Sequence, residues 1–271
     1  MLGSQWLRRQ VEAAPHERQA ARLWLLEVLG LDASRFYADP DRELSDDQEA
    51  RLLAGWQRYQ AGEPLAYICG YEIFRGLRLQ VDARVLAPRP ETEELVEQAL
   101  QLPLPETAEV VDLGTGSAAI ACALAHERRH WQVSAVERSE DALAVAAHNI
   151  AEHGGRVRLF AGSWYEPLPG RHFDLIVANP PYIAAHETEM ADLHHEPRSA
   201  LVAADAGLAD LHHIIDHAPG YLRRGGWLLL EHGWRQGDGL RQRLRGAGWT
   251  AVASRCDLAG HERMTWGCWH G

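Results

Sequence analysis

The sequence predicts an α/β protein: a mostly parallel, doubly wound sheet with helices on both faces, preceded by a small helical bundle and a β-hairpin. Three observations predict it. From about residue 85, short apolar strand candidates alternate with helical stretches, the pattern of repeated strand–helix units. Before residue 75, apolar residues recur at three- and four-residue spacings, as on helices. Between these regions Ile73-Phe74 and the alternating Leu77, Leu79 and Val81 flank Arg75-Gly76, as in a short hairpin.

In chain order, Trp6, Leu7 and Val11 mark a first helix, and Leu23, Trp24, Leu26 and Leu29 a second. Ser45 can cap a third, with Gln48 three residues on to complete the capping box, and Leu52, Leu53, Trp56 and Tyr59 as its buried face. Gly62 and Pro64 end it. Strands are expected at Glu109 to Leu113, Val133 to Val136, Val157 to Phe160, Phe173 to Ala178 and Trp227 to Leu230. Helices are expected at Ala118 to Glu127 and Asp141 to Ala151, and Trp249 to Ala253 and Met264 to Trp269 can add a terminal strand pair. The predicted organisation is a helical bundle over residues 1–72, a hairpin linker over 73–84 and an α/β domain over 85–271. A doubly wound sheet binds its ligand at the carboxyl ends of its strands, so functional residues are sought there.

Composition narrows the function. The length, 271 residues with 46% apolar and 24% charged, is ample for a packed core, which rules out disorder as the main theme. The formal net charge is −11 and every basic residue is arginine. That balance weighs against nucleic acid as the main partner, because phosphate neutralisation dominates such binding. The longest apolar stretches, around Ile120 to Ala125 and Trp227 to Leu230, are far too short to span a membrane. The first residues lack a secretion signal, so the expected compartment is the cytoplasm. Cys69, Cys122, Cys256 and Cys268 form no CxxC pair and read as reduced, structural thiols. His213 and His217 share a helix face but have no third ligand at a recognisable spacing, so no metal is expected.

The first α/β strand runs into Asp112-Leu113-Gly114-Thr115-Gly116-Ser117 and then a helix at Ala118-Ala119. Glycines permit a tight turn and close backbone approach to a ligand, and the helix start offers free N–H groups. Taken loosely, Gly114-x-Gly116-x-x-Ala119 matches a dinucleotide-type loop, a weak signal alone. The second strand ends at Glu137, 23 residues after Gly114, where a carboxylate can accept hydrogen bonds from both ribose hydroxyls of a nucleoside cofactor. The fourth strand enters Asn179-Pro180-Pro181-Tyr182. Two prolines stiffen the backbone and donate no N–H, leaving carbonyls free to face a ligand. The Asn179 side-chain oxygen and the Pro180 carbonyl can accept the two hydrogens of a planar NH2 group, with the Tyr182 ring packed against it. A dehydrogenase, the other reading of the glycine loop, has no use for this tetrapeptide.

Asp112-Leu113-Gly114-Thr115-Gly116 followed by Asn-Pro-Pro-Tyr resembles class I S-adenosylmethionine-dependent methyltransferases that modify planar nitrogens, with their Rossmann-like sheet. Glu63 to Ile68, Arg84 to Glu93, Asp174 to Ile183, Glu196 to Leu201 and Trp227 to Glu231, in that order, are similar to the release-factor glutamine methyltransferases, the PrmC/HemK family. The resemblance implies S-adenosyl-L-methionine as cofactor and methyl transfer to the side-chain amide nitrogen of a glutamine in class I peptide chain release factors. The helical N-terminal domain would help hold the release factor, and a monomer is expected. It implies that Gly114, Thr115, Gly116, Ser117 and Ala118 carry the methionine end of the cofactor. Glu137 would hold its ribose, Trp164 would stand beside the adenine, and Asn179 would touch both cofactor and substrate. Asn179, Pro180, Pro181 and Tyr182 would cradle the glutamine amide, with Asn179, Pro180 and Tyr182 catalytic. Arg89 and Thr92 lie in a family block near the site, where a structural role is equally open. Rivals are a base amino-methyltransferase using the same tetrapeptide, a ribosomal-protein glutamine methyltransferase, and a non-catalytic binding factor. Two departures stand out: Ala118 occupies a position where the family commonly has glycine, and Ala203, Ala204 and Ala206 replace a glycine-rich turn before Gly207-Leu208. A positive φ at any of these costs alanine about 1 kcal/mol.

Overall fold

The computed structural model describes residues 1–184, 194–257 and 259–271. The chain divides into two compact units, Met1–Gly70 and Tyr71–Gly271, and the hairpin counts with the second. The first unit holds α1 (Gly3–Ala13), α2 (Arg18–Leu29), α3 (Ala33–Ala38), α4 (Asp46–Gln60) and α5 (Leu65–Cys69). Ser45 accepts from the Gln48 amide while Gln48 accepts from the Ser45 amide, so the capping box forms as its sequence predicts. The core gathers Trp6, Trp24, Leu25, Phe36, Leu52 and Trp56. One residue of the expected buried face, Leu53, is instead about half exposed. Leu52, Trp56 and Tyr59 are four and three residues apart and form one stripe; Leu53 lies a hundred degrees off it.

The second unit begins with the hairpin β1 (Tyr71–Phe74) and β2 (Leu77–Gln80). Arg75 and Gly76 both take positive φ, as a two-residue hairpin turn requires. Then follow α6 (Pro90–Gln101), β3 (Glu109–Leu113), α7 (Ala119–Glu127), β4 (Gln132–Glu137), α8 (Glu140–Glu152), β5 (Arg158–Ala161), β6 (Phe173–Ala178), the short turn α9 (Ala204–Gly207), α10 (Ala209–His217), β7 (Leu222–Glu231), α11 (Gly237–Gly246), β8 (Thr250–Cys256) and β9 (Glu262–Trp269). The main sheet has the order β5-β4-β3-β6-β7-β9-β8, parallel as far as β7, with β9 antiparallel to both β7 and β8.

Period-two alternation builds two core layers. Val110, Val133, Leu175 and Leu229 pack with Leu95, Val96, Ile120 and Leu124 on one face, and Val111, Val136, Ile176, Leu228 and Leu230 pack with Leu211, Ile214, Leu240 and Leu244 on the other. β7 starts five residues earlier than expected, at Leu222, and β5 sits one residue later. The chain winds outward from β3 through β4 and β5, then returns to β6 on the opposite side. The topological switch point therefore lies between β3 and β6.

Candidate active site

Register lines up the strand ends. Leu113 pairs with Val136 on one side and Ala178 on the other, Ala178 pairs with Leu230, and Glu137 pairs with Ala161. The residues at that row are Glu137, Gly114, Asn179 and Glu231, on four adjacent strands, with Gly162 one step past β5. An open cleft of about 950 Å³ lies over this row. Its walls include Gly114, Thr115, Gly116, Ser117, Glu137, Trp164, Asn179 and Pro181, so most of the candidate residues share one space. Ala118 is fully buried beneath the loop, Pro180 is buried and Tyr182 half-buried, and these three do not line it.

The glycine loop is shaped by its backbone. Gly114 and Gly116 have φ of 71° and 55°. The Gly114 and Thr115 amides both donate to the Val136 carbonyl at 2.9 Å, which fastens the loop to the tip of β4. A side chain on Gly114 would stand 3.0 Å from the Trp164 ring, so glycine is also what lets the indole lie against the loop. Ala118 does adopt the left-handed conformation, φ 64° and ψ 25°, and caps α7 from outside, so that helix begins at Ala119 rather than at Ala118. Trp164 has φ 47°, unusual for so bulky a residue. Such strain persists only where surrounding structure enforces it, and it clusters at ligand sites.

Glu137 holds the loop as well as facing the cleft. One carboxylate oxygen accepts from the Gly116 amide at 2.9 Å, and the other accepts from the Arg138 and Ser139 amides at 2.8 and 2.9 Å. Two carboxylate oxygens offer about four acceptor sites, so capacity is left for a hydroxyl from a ligand. Asp112, fully buried below the loop, accepts from the Thr115 hydroxyl. Burial raises its carboxyl to about 7. Asn149 of α8, also buried, donates to the Ser117 and Gln80 carbonyls and accepts from the Gln80 amide, tying the loop to β2.

The Asn179 corner is held by side chains from distant parts of the chain. The Asn179 amide donates to the Thr92 hydroxyl at 3.2 Å, and Thr92 donates to Glu231 at 2.8 Å. Glu231 is fully buried and its carboxyl is pushed up to about 7 by desolvation, while hydrogen bonds from Thr92 and Asn179 draw it back. Arg89 donates to the buried Glu196 at 2.7 Å, pinning the segment that carries Pro197, Ser199 and Ala200 onto the cleft. Gln236 donates to the carbonyls of both Tyr182 and Gly207, at 3.2 and 3.3 Å. Gly207 lies so close that a side chain there would fall 2.1 Å from the Tyr182 carbonyl oxygen. Asp205 and Ala206 both have positive φ, whereas Ala203 is extended and Ala204 is outside the positive-φ set.

Thr92 and Glu231 had only the family blocks Arg84 to Glu93 and Trp227 to Glu231 to mark them in the sequence, Asp112 stood at the head of the glycine motif without a role, and Gln236 and Asn149 had no mark. Pro90 at a first helical position, glutamates in the first turn, and Leu95, Val96 and Ala99 at helical spacing are the signal that would have placed Thr92 on α6. His213 and His217 stack on each other 4.2 Å apart beside Tyr165. Among the described residues no group of three or more His, Cys, Asp or Glu could hold a metal ion. Nor, among them, is any helix long and apolar enough to cross a membrane.

A glycine loop and a rigid amide-bearing corner on neighbouring strands of this sheet are the arrangement of a methyltransferase, and the family described as Methyltransferase small domain matches residues 92–235. The crystal structure of a methyltransferase from Pyrococcus furiosus shares the fold, with a TM-score of 0.57 at 17% identity over 84% of this chain and 100% of that one. The PrmC N-terminal domain family matches residues 4–70. A Salmonella typhimurium protein named release factor glutamine methyltransferase is 45% identical over 95% of this chain and 94% of its own length. The Escherichia coli protein of the same name is 40% identical over 97% of each. This chain belongs to the release factor glutamine methyltransferase family.

Proposed function

We propose that this chain transfers a methyl group from S-adenosyl-L-methionine to the side-chain amide nitrogen of the glutamine in the GGQ motif of class I peptide chain release factors, in the cytoplasm. The observation that carries this reading is the adjacency of two corners in one cleft. Gly114 and Asn179 follow paired residues of neighbouring strands, so a group held at one faces a group held at the other.

The cleft fits such a cofactor by shape and donor chemistry. The backbone of Gly114 to Ala118 would hold its methionine end, the spare acceptor capacity of Glu137 its ribose, and the Trp164 ring, close against Gly114, its adenine. When bound, the cofactor supplies a methyl already activated on a positive sulfur. An amide nitrogen is a poor nucleophile because its lone pair is delocalised into the carbonyl, so the protein acts mainly by placement. Asn179, which lines the cleft, would accept one N–H bond and turn the nitrogen lone pair toward the methyl. The family resemblance adds the Pro180 carbonyl as acceptor of the second N–H and Tyr182 against the amide plane, although neither residue lines the cleft. Alignment of this kind supplies several kcal/mol, up to about 7–11 in ideal intramolecular cases. Acceptors at the N–H groups also favour the positive charge that builds on nitrogen. The helical unit, Met1–Gly70, would hold part of the release factor.

The test is a methyl-transfer assay with labelled S-adenosylmethionine and a purified class I release factor, wild type beside a Gln→Ala change in its GGQ motif. Label on the wild type and none on the variant is expected. Label on ribosomal protein or RNA instead would discard the proposed substrate.

A further inference from the structure

We infer that Thr92 and Glu231 are positioning residues that fix which way the Asn179 amide faces, and so make the site an acceptor for an N–H-bearing substrate group. This rests on the functional reading above and extends it to residues outside the tetrapeptide.

An asparagine amide is nearly symmetric in shape but not in chemistry, with an acceptor oxygen on one arm and a donor NH2 on the other. Turned the wrong way, Asn179 would point N–H groups at the N–H groups of its substrate. Something must therefore choose the orientation, and the buried chain beneath it does. An ionised carboxylate only accepts, so Glu231 takes the single hydrogen of the Thr92 hydroxyl, 2.8 Å away. The hydroxyl then has only lone pairs left to offer Asn179, 3.2 Å away, and the amide must present its NH2 there. Its oxygen is left for the cleft that Asn179 lines. With Glu231 ionised, direction passes to Asn179 through Thr92 and also by the direct hydrogen bond from the Asn179 amide to the Glu231 carboxylate, both of which place the NH2 on that side. Thr92 is 4% exposed and Glu231 2%, so bulk water does not stand in for either partner. The geometry is imposed by the fold: Ala178 and Leu230 pair, so Asn179 and Glu231 leave adjacent strands side by side, and the first turn of α6 sets Thr92 between them.

The experiment compares wild type, Thr92→Val and Thr92→Ser by steady-state methyl transfer to full-length release factor, with cofactor affinity measured separately by calorimetry. Valine keeps the shape and removes the hydroxyl; serine keeps the hydroxyl. Expected is a fall in kcat of at least roughly tenfold for Thr92→Val, the scale of one buried hydrogen bond lost, with KM and cofactor affinity changed less than about twofold. Thr92→Ser recovers most of the loss. In an Asn179→Ala background Thr92→Val costs nothing further, because its effect runs through Asn179. Thr92→Ala takes the place of Thr92→Val if valine prevents folding. A Thr92→Val enzyme with wild-type kcat, or one whose loss is the same with and without Asn179, overturns the inference. A wild type that moves no label to glutamine overturns the functional reading, and this inference with it.

Discussion

The two corners of the cleft are built from different materials. The glycine corner after β3 takes its turn from backbone: Gly114, Gly116 and Ala118 are in the left-handed region and the Gly114 and Thr115 amides are fastened to the Val136 carbonyl one strand away, with the Glu137 and Asn149 side chains bracing the loop. The asparagine corner after β6 owes its shape to side chains that arrive from 87 and 139 residues apart, Thr92 to Asn179 and Thr92 to Glu231. A backbone corner is written in a few consecutive residues and fails through strain. A side-chain corner is written across the chain and fails through an unmatched hydrogen bond.

Removing the end of the side-chain relay has the largest expected effect. Asn179→Ala takes away the acceptor aimed at the reacting amide, and losses of about 10²–10³ in kcat accompany the removal of a single such group elsewhere. Single-turnover transfer to release factor measures it. Near-normal turnover with unchanged cofactor binding would mean that placement is done elsewhere and the comparison collapses.

Breaking the backbone corner acts on a different quantity. Gly114→Ala must hold φ near 71° and meets the Trp164 ring at 3.0 Å. The conformation alone costs about 1–2 kcal/mol, so cofactor affinity falls roughly tenfold or more. Calorimetric titration reads this directly, and kcat at saturating cofactor changes far less. Equal losses in both would show that the two corners are not separable.

This division also explains what the sequence reveals. Alternating strand and helix patterns, the capping box at Ser45 and the hairpin turn at Arg75-Gly76 are local, and they are readable. So are Gly114, Glu137 and Asn179, because each sits at or directly after the end of a strand whose apolar run marks it, and Gly116, two residues further along the loop from Gly114. Thr92 and Glu231 are marked only by the family blocks Arg84 to Glu93 and Trp227 to Glu231, since a threonine in a first helical turn and a glutamate ending a strand are ordinary without a glycine loop beside them. Only the pairing of Ala178 with Leu230 and the docking of α6 bring them together. Leu53 departs in the opposite direction, an apolar residue beside a periodic stripe that falls just outside it.

A milder probe of the relay is pH. Glu231 faces Glu91 and Thr92 of α6, Asn179 at the end of β6 and Arg263 of β9, and burial is the largest influence, raising its carboxyl to about 7. Protonated, it can donate to Thr92 and free that hydroxyl to donate to the Asn179 oxygen, reversing the amide. The kcat profile should therefore rise with pH through about 7, and Glu231→Gln should lose that limb. Stability runs the other way. A carboxyl whose folded pKa is raised holds its proton more tightly when folded, so its stabilising contribution is full below about 4.5 and is lost as pH rises through about 7. The charged form that orients Asn179 is thus the form the fold disfavours. An activity profile flat across this range, in a wild type whose stability does fall, would separate the two effects and remove Glu231 from the relay.

The smallest expected effect sharpens the backbone side. Ala118 is held at φ 64°, fully buried, where glycine is free of the strain that alanine carries. Ala118→Gly relieves about 1–2 kcal/mol in the folded state and adds about 0.5–1 kcal/mol of chain entropy to the unfolded one. The buried methyl lost with Ala118 costs about 0.8 kcal/mol, so the balance lies within about 1 kcal/mol of zero, at most a few °C in Tm for a unit of this size. Differential scanning calorimetry measures the shift, with Ala206→Gly, at φ 52° in the turn before Gly207, as the matching substitution beside the asparagine corner. If strain at Ala118 is what shapes the loop, Ala118→Gly loosens cofactor binding while Tm barely moves. Unchanged affinity would show that Val136 and Glu137 hold the loop without it, leaving Ala118 a strained position that the fold tolerates.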